Sequence, residues 1–259
     1  MPRIVIMGAS SGIGLAVARE FASRGVRVGL AARHTSALRA LREEYPDAVE
    51  YESIDITHND APAKLAQLIE RLGGMDIYFH AAGIGYDNDG LDPHRQAEIF
   101  SVNSGGFARM LAAAYGYFRD SHRRGRIVAV TSVAGTKGIG SMAAYSASKA
   151  AASAYMVALE QLAYSEGVDV TFTDIRPGWI RTPLLRDDTV YPMEMSLPYV
   201  VPLIIRAIVR HPRVAVIDCR WRLVVALWSL LPDCVWTHID IPLYHSKKPS
   251  APATTGLPS

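Results

Sequence analysis

The sequence predicts an α/β fold, one parallel sheet wound on both faces with helices. Three observations carry this reading. Short β-branched runs alternate with longer amphipathic stretches through the first two thirds of the chain. The short runs are almost wholly apolar, as burial on both faces of a parallel sheet requires. A glycine-rich turn joins the first run to the first amphipathic stretch, where such folds bind nucleotides. The 259 residues suffice for one large core. No internal repeat or linker composition divides them before the tail, so a single domain is expected over 1–245.

Taken in order, residues 4–7 form the first strand and 12–23 the first helix, which Gly25 ends. Residues 26–31 form the second strand and 36–45 the second helix. Further strands are expected at 49–54, 77–80, 127–131 and 168–175. Helices lie between them at 61–72, 95–118 and 144–166. Residues 246–259, rich in Pro, Ser, Thr and Ala, have the composition of a disordered tail.

Composition excludes several classes of function. Net charge is only +2, from 27 basic and 25 acidic residues, which argues against nucleic acid as a partner. Two cysteines, Cys219 and Cys234, match no zinc spacing and make no disulfide framework. They read as reduced thiols of a cytoplasmic protein, and no metal site is expected. The chain enters its first strand at once, without a signal-peptide layout. No apolar run reaches the roughly 18–20 residues that span a bilayer. The longest, 200–209 and 223–231, are broken by charge or proline.

The first turn reads Gly8-Ala9-Ser10-Ser11-Gly12-Ile13-Gly14. Glycines allow a tight turn and a close approach of backbone to pyrophosphate, and the next helix offers free N–H groups and a positive dipole end. The second strand ends at Ala32-Arg33. An NAD site places a carboxylate near this point for the ribose 2′-OH. Here the carboxylate is missing, and the Arg33 guanidinium suits a 2′-phosphate, so NADP(H) is the expected cofactor. Asp55, after the third strand, lies at the ligand-binding edge and suits the adenine amino group.

Tyr145 and Lys149 share a helix face at i, i+4. Ser132 ends the strand before them, and Asn103 sits inside a helical region that it fits poorly. Carbonyl reduction wants such a set. An acid must protonate the developing alkoxide, and a tyrosine's pKa near 10 is too high for easy exchange. A nearby ammonium lowers it, and a serine hydroxyl can hold the carbonyl oxygen.

With these motifs in this order, residues 3–218 resemble the classical short-chain dehydrogenase/reductase family, which has a Rossmann-type fold. The family's Thr-Gly-x-x-x-Gly-x-Gly matches Met7 to Gly14. Its Asn-Asn-Ala-Gly matches His80-Ala81-Ala82-Gly83, and its Pro-Gly segment matches Pro177-Gly178-Trp179-Ile180-Arg181-Thr182. The resemblance implies that Tyr145 is the general acid/base and that Ser132 positions the substrate oxygen. Lys149 would hold the nicotinamide ribose, and Asn103 a water linking Lys149 to solvent. Ser10, Ser11, Gly12, Ile13, Ile56, Ala82, Gly83, Pro177 and Gly178 would line the cofactor, with Ile180 and Thr182 on the carboxamide. Met7 and His80-Ala81 depart from the family's residues, and His80 reads as structural. Dimers or tetramers are common in the family.

Residues 181–240 are expected to supply a substrate lid and an apolar helix. In the lid, Met193 and Met195 suit either an adaptable pocket or plain core. The stretch 220–232 is apolar nearly all round. It must be buried near the substrate, cover another subunit, or lie on a membrane surface through 220–236. It also hints at a lipophilic substrate. The reading that follows is an NADP(H)-dependent ketone or aldehyde reductase. A non-catalytic NADP-binding regulator on the same fold is the alternative. A sugar-nucleotide epimerase would need a larger C-terminal domain than the residues after Pro177 provide.

Overall fold

The structure is a computed structural model and describes residues 2–85, 90–185, 189–239 and 245–246. Seven parallel strands make the main sheet. They are β1 (Arg3–Met7), β2 (Arg27–Ala32), β3 (Val49–Ser53), β4 (Ile77–His80), β5 (Gly125–Val130), β6 (Val170–Arg176) and β8 (Val214–Val216). Their order is β3-β2-β1-β4-β5-β6-β8, so the winding reverses beside β1 and opens a crevice at its carboxyl end. A separate pair of two-residue strands, β7 (Thr189–Val190) and β9 (His245–Ser246), runs antiparallel.

The period of two sorts the strand residues between the faces. Ile4 and Ile6 of β1, Val28 and Leu30 of β2, and Val128 and Val130 of β5 face one core. There they meet α1 (Gly12–Ser23), α2 (Ser36–Glu44) and α7 (Leu197–Arg210). Val5 and Met7, Tyr78 of β4, and Ile127 and Ala129 face the other. That core is closed by α3 (Ala61–Arg71), α5 (Phe107–Ser121) and α6 (Ala143–Glu166). Every strand–helix alternation expected to residue 176 is present, with ends shifted by up to three residues.

Four expectations change. The single helix at 95–118 is α4 (Pro93–Phe100), a π-helical turn (Ser101–Gly106) and then α5. Ser, Asn and two Gly make this stretch poor α-helix, and the extra residue in a widened turn is accommodated there. Gly106 also lets the turn approach Ile56, whose side chain lies 2.6 Å from where a Cβ would stand.

The helix α7 and strand β8 were not read from the sequence. Pro202 interrupts the helical pattern of the first, and three residues give the second no period. The third change concerns the apolar stretch after residue 219. It forms α8 (Cys219–Ser229) and the short α9 (Asp233–Trp236), and α8 is covered on one side only. Trp221 is buried, while Leu223, Leu227 and Leu230 are 62%, 57% and 79% exposed. Last, Met195 packs in the core with Met193 against it, and neither reaches the cleft. The tail expected at 246–259 lies, apart from Ser246, outside the described residues.

Asp218 fixes where α8 starts. Its carboxylate accepts from the Arg220 backbone N–H at 2.8 Å and from the Arg220 guanidinium at 2.7 Å. Arg220 holds that carboxyl at about 2 although burial opposes it. A negative charge at a helix N-terminus also meets the dipole favourably.

Candidate active site

The carboxyl ends of the strands open into a cleft of about 760 Å³. One end of it is the first βα turn. Gly8, at φ +89°, donates its N–H to the Ala31 carbonyl at 2.8 Å. A Cβ on Gly8 would stand 2.5 Å from the Ala82 nitrogen, and one on Gly14 would stand 2.1 Å from the Gly8 carbonyl oxygen. No side chain fits at either position. Gly12, at φ +54°, faces the Thr182 side chain at 3.4 Å, which brings the Pro177-Gly178 segment over the turn. Ser11 precedes α1 without capping it by its side chain, so the first-turn N–H groups remain available to an anion.

Ser10, Ser11, Ile13, Arg33, Asp55, Ile56, Ala82, Gly83, Pro177, Gly178, Ile180 and Thr182 all line this cleft. Arg33 is exposed at its rim beside His34. Asp55 Oδ1 accepts from the Thr57 N–H at 2.9 Å and the Thr57 hydroxyl at 2.7 Å. Burial alone would raise the Asp55 carboxyl, but these bonds, with His58 and Arg33 nearby, hold it below its usual range.

Ser132, Tyr145 and Lys149 meet in the middle of the cleft. Ser132 sits in extended backbone just after β5, and its Oγ accepts from the Ala134 N–H at 3.1 Å. Lys149 is buried and donates to the Val130 carbonyl at 3.1 Å. Burial brings its ammonium down to about 8, against an opposing pull from Asp174. Tyr145 departs from the sequence expectation. Burial pushes its phenol above the usual range, and a hydrogen bond with Ser132 pulls the other way. Lys149 Nζ lies 5.7 Å from the Tyr145 ring centroid, and in the protein alone its charge does not offset that burial.

Asn103 does not line the cleft. The widened π turn points it inward, where it is 2% exposed. Its Nδ2 donates to the Ile84 carbonyl at 2.8 Å, its Oδ1 accepts from the Ile84 N–H at 2.9 Å, and Ser148 Oγ accepts from Nδ2 at 3.2 Å. It stands directly behind Gly83, whose added Cβ would meet Asn103 Oδ1 at 3.2 Å and Lys149 Nζ at 3.3 Å. His80 is likewise buried. Its Nδ1 pairs with the Tyr78 hydroxyl at 3.0 Å, and burial, aided by the Lys149 charge, lowers it to about 3. It is a neutral imidazole packed edge-on against Phe107.

Sequence reasoning gave the far wall of the cleft only as a lid and an apolar helix, without singling out its aromatic residues. Trp179, Tyr191, Trp221 and Trp228 line it, with Leu184 and Leu185. Trp221 lies flat enough on Gly178 that a Cβ there would collide with the indole at 2.1 Å. The signals for them were the segment 177–182, the expected lid and the apolar character of 220–232.

Asn103→Ala tests what the π turn is for. It leaves the Ile84 N–H and C=O without their side-chain partner, a loss of about 1–3 kcal/mol. Urea unfolding should show an unfolding free energy lower by that amount, seen as a lower midpoint at unchanged slope. An unchanged midpoint would confine Asn103 to arranging solvent.

Residues 2–190 match the profile of the short chain dehydrogenase family. An uncharacterized oxidoreductase of Myxococcus xanthus is 35% identical over 229 residues, covering 85% of this chain and 88% of that protein. An alcohol dehydrogenase from Thermococcus sibiricus, solved with 5-hydroxy-NADP, is 25% identical with a TM-score of 0.69, over 83% of this chain and 94% of that one. A 3-ketoacyl-(acyl-carrier-protein) reductase from Brucella melitensis, solved with NADH, shares the fold at 22% identity and a TM-score of 0.71, over 83% and 95%. The glycine turn, the seven-stranded order and these likenesses agree: the chain belongs to the short chain dehydrogenase family.

Proposed function

We propose that the protein is an NADP(H)-dependent reductase acting on a ketone or aldehyde, or in reverse on a secondary alcohol. One observation carries this reading: Ser132, Tyr145 and Lys149 share a single cleft with the glycine turn and Arg33. The residues fit a dinucleotide. Gly8 and Gly14 leave backbone where a Cβ would stand, the start of α1 offers uncapped N–H groups, and Ala32 puts no carboxylate against a 2′-phosphate. Solved proteins of this fold hold either NADP or NADH forms, so the fold does not choose between them. Arg33 is the residue that favours NADP(H) here.

When bound, the cofactor supplies or accepts the hydride. The chain does the rest. Ser132 holds the substrate oxygen, and Tyr145 gives the proton to the developing alkoxide. Lys149 would hold the nicotinamide ribose. With its value near 8 it is mostly cationic at neutral pH and loses that charge above. Asp55 would receive the adenine amino group, Ile56, Ala82 and Gly83 would line the cofactor, and Ile180 and Thr182 would meet the carboxamide. Asn103 holds the Ile84 backbone rigid behind Gly83 and Lys149.

The protein is further read as a cytoplasmic homodimer or homotetramer whose functional unit spans 1–245. Ala147, Ala150, Ala151, Ala154 and Val157 form an exposed small apolar face along α6, suited to a symmetry mate. The outer face of α8 adds a second candidate contact, to a subunit or to a membrane surface. No described helix is long and apolar enough to cross a membrane.

Three measurements test these readings. Tyr145→Phe keeps the ring and should slow reduction by about 10²–10⁴ with NADPH affinity intact. Wild-type turnover in that variant would end the mechanism. Arg33→Asp should reverse the preference for NADPH over NADH, and equal affinity of the wild type for both would remove the NADP assignment. Sedimentation at micromolar concentration should show a closed oligomer, and a monomer would refute the α6 contact.

A further inference from the structure

All four tryptophans of the chain gather at one end of the cleft, away from Arg33 and Asp55. Trp179, Trp221 and Trp228 line it, and Tyr191 stacks on Trp179 with ring centroids 4.6 Å apart. Trp236 stands behind, edge-on to Trp228 at 5.5 Å. Tyr145 belongs to the same cluster. Trp179, Trp228 and the Tyr145 ring all pack against Ala134, Ile139 and Met142. The wall and the tyrosine that would give the proton therefore share one apolar cluster.

The wall is held rigidly. Trp228 Nε1 donates to Thr136 Oγ1 at 2.8 Å, and Trp236 Nε1 donates to the Gly138 carbonyl at 2.6 Å. Lys137 Nζ donates to the Leu231 carbonyl at 2.9 Å and pairs with Asp233 at 2.6 Å. These bonds fasten α8 and α9 to the segment joining Ser132 to Tyr145. Trp228, its N–H engaged, presents only its apolar, π-rich face to the cleft, while the buried Trp221 Nε1 has no hydrogen-bond partner among the described residues.

Indole faces attract either flat rings or cations. A cation is disfavoured. Among the described residues the only carboxylate lining the cleft is Asp55, at the opposite end. The described lining holds the cations Arg95 and Lys149 besides Arg33, which disfavour a positive charge. A sugar ring is disfavoured as well, because the described lining near the tryptophans, with Ile139, Met142, Leu184 and Leu185, is mainly apolar.

We propose that the substrate is a flat ring ketone, aromatic or fused, laid against the Trp179 and Trp228 indoles with its carbonyl on Tyr145 and Ser132. The inference rests on the reductase reading and specifies its substrate class. The test compares a bicyclic aryl ketone with a straight-chain ketone of equal carbon count, using NADPH. The ring ketone should have a kcat/KM at least about tenfold higher. Trp228→Leu should remove that advantage, and Trp228→Phe should keep most of it. Equal or better use of the straight-chain ketone by the wild type would overturn the proposal while leaving the reductase reading intact.

A second measurement does not depend on turnover. In Tyr145→Phe, titration with the ring ketone should quench tryptophan fluorescence with saturation, and the straight-chain ketone should not. Oxidation of NADPH by no carbonyl at all would defeat the reductase reading. Absence of saturable quenching would defeat the ring-stacking site.

Discussion

The absence of room for a Cβ at Gly8 and Gly14 is the constraint on which the site depends. The two positions press the start of α1 against the ends of β1 and β4, so the Gly8 backbone touches Ala82 and the Gly14 backbone touches Gly8. That contact aligns the first helix dipole with the crevice where the strand order reverses. It also sets the height at which the other loops leave the sheet. Met7, Ala32, Ser53, His80, Val130 and Arg176 all end their strands along the same edge. Everything that lines the cleft follows one of these ends or is carried by a helix docked beside them.

A second organising element lies beneath the reacting residues. Asp174, in the sixth strand, is nearly fully buried. It accepts from Ser153 Oγ at 2.9 Å, from Arg176 Nε at 2.7 Å and from the Thr131 hydroxyl. A buried carboxylate so thoroughly paired is tolerable. Its field also supports the Lys149 ammonium against the loss of solvent. Neutral His80 on the other flank adds no competing charge, because burial keeps it unprotonated far below neutral pH. The lysine is thus held between a carboxylate that sustains its charge and an imidazole that stays uncharged.

The sheet as far as residue 176 was legible because its strands are short apolar runs bounded by helices of clear period. The glycine turn, Arg33, Asp55, Ser132, Tyr145 and Lys149 were legible because chain order in such a fold maps onto one edge of the sheet. What escaped reading had specific physical causes. Pro202 disguised α7, and β8 was too short to show alternation. The π turn's composition marks it as poor α-helix, but only its geometry shows that Asn103 grips Ile84. The lowered pKa expected of Tyr145 failed because proximity on a helix face says nothing of desolvation, which dominates here. Trp221 and Trp228 could be seen as apolar residues on a helix, but not as a wall, because which side of α8 faces inward depends on Asp218 and on the distant Thr136.

Trp221 and Trp228 stand on α8 and Trp236 on α9, whereas Ser132 follows β5 and Tyr145 and Lys149 stand on α6. The wall and the reacting groups thus belong to separate elements of one chain. The terminal helices shape the cleft but carry none of the hydroxyl, lysine and serine at its centre. Change in those helices alone can redraw the shape of the cavity without touching the groups at its centre. A lineage could in this way take up new molecules while its inherited chemistry stayed constant.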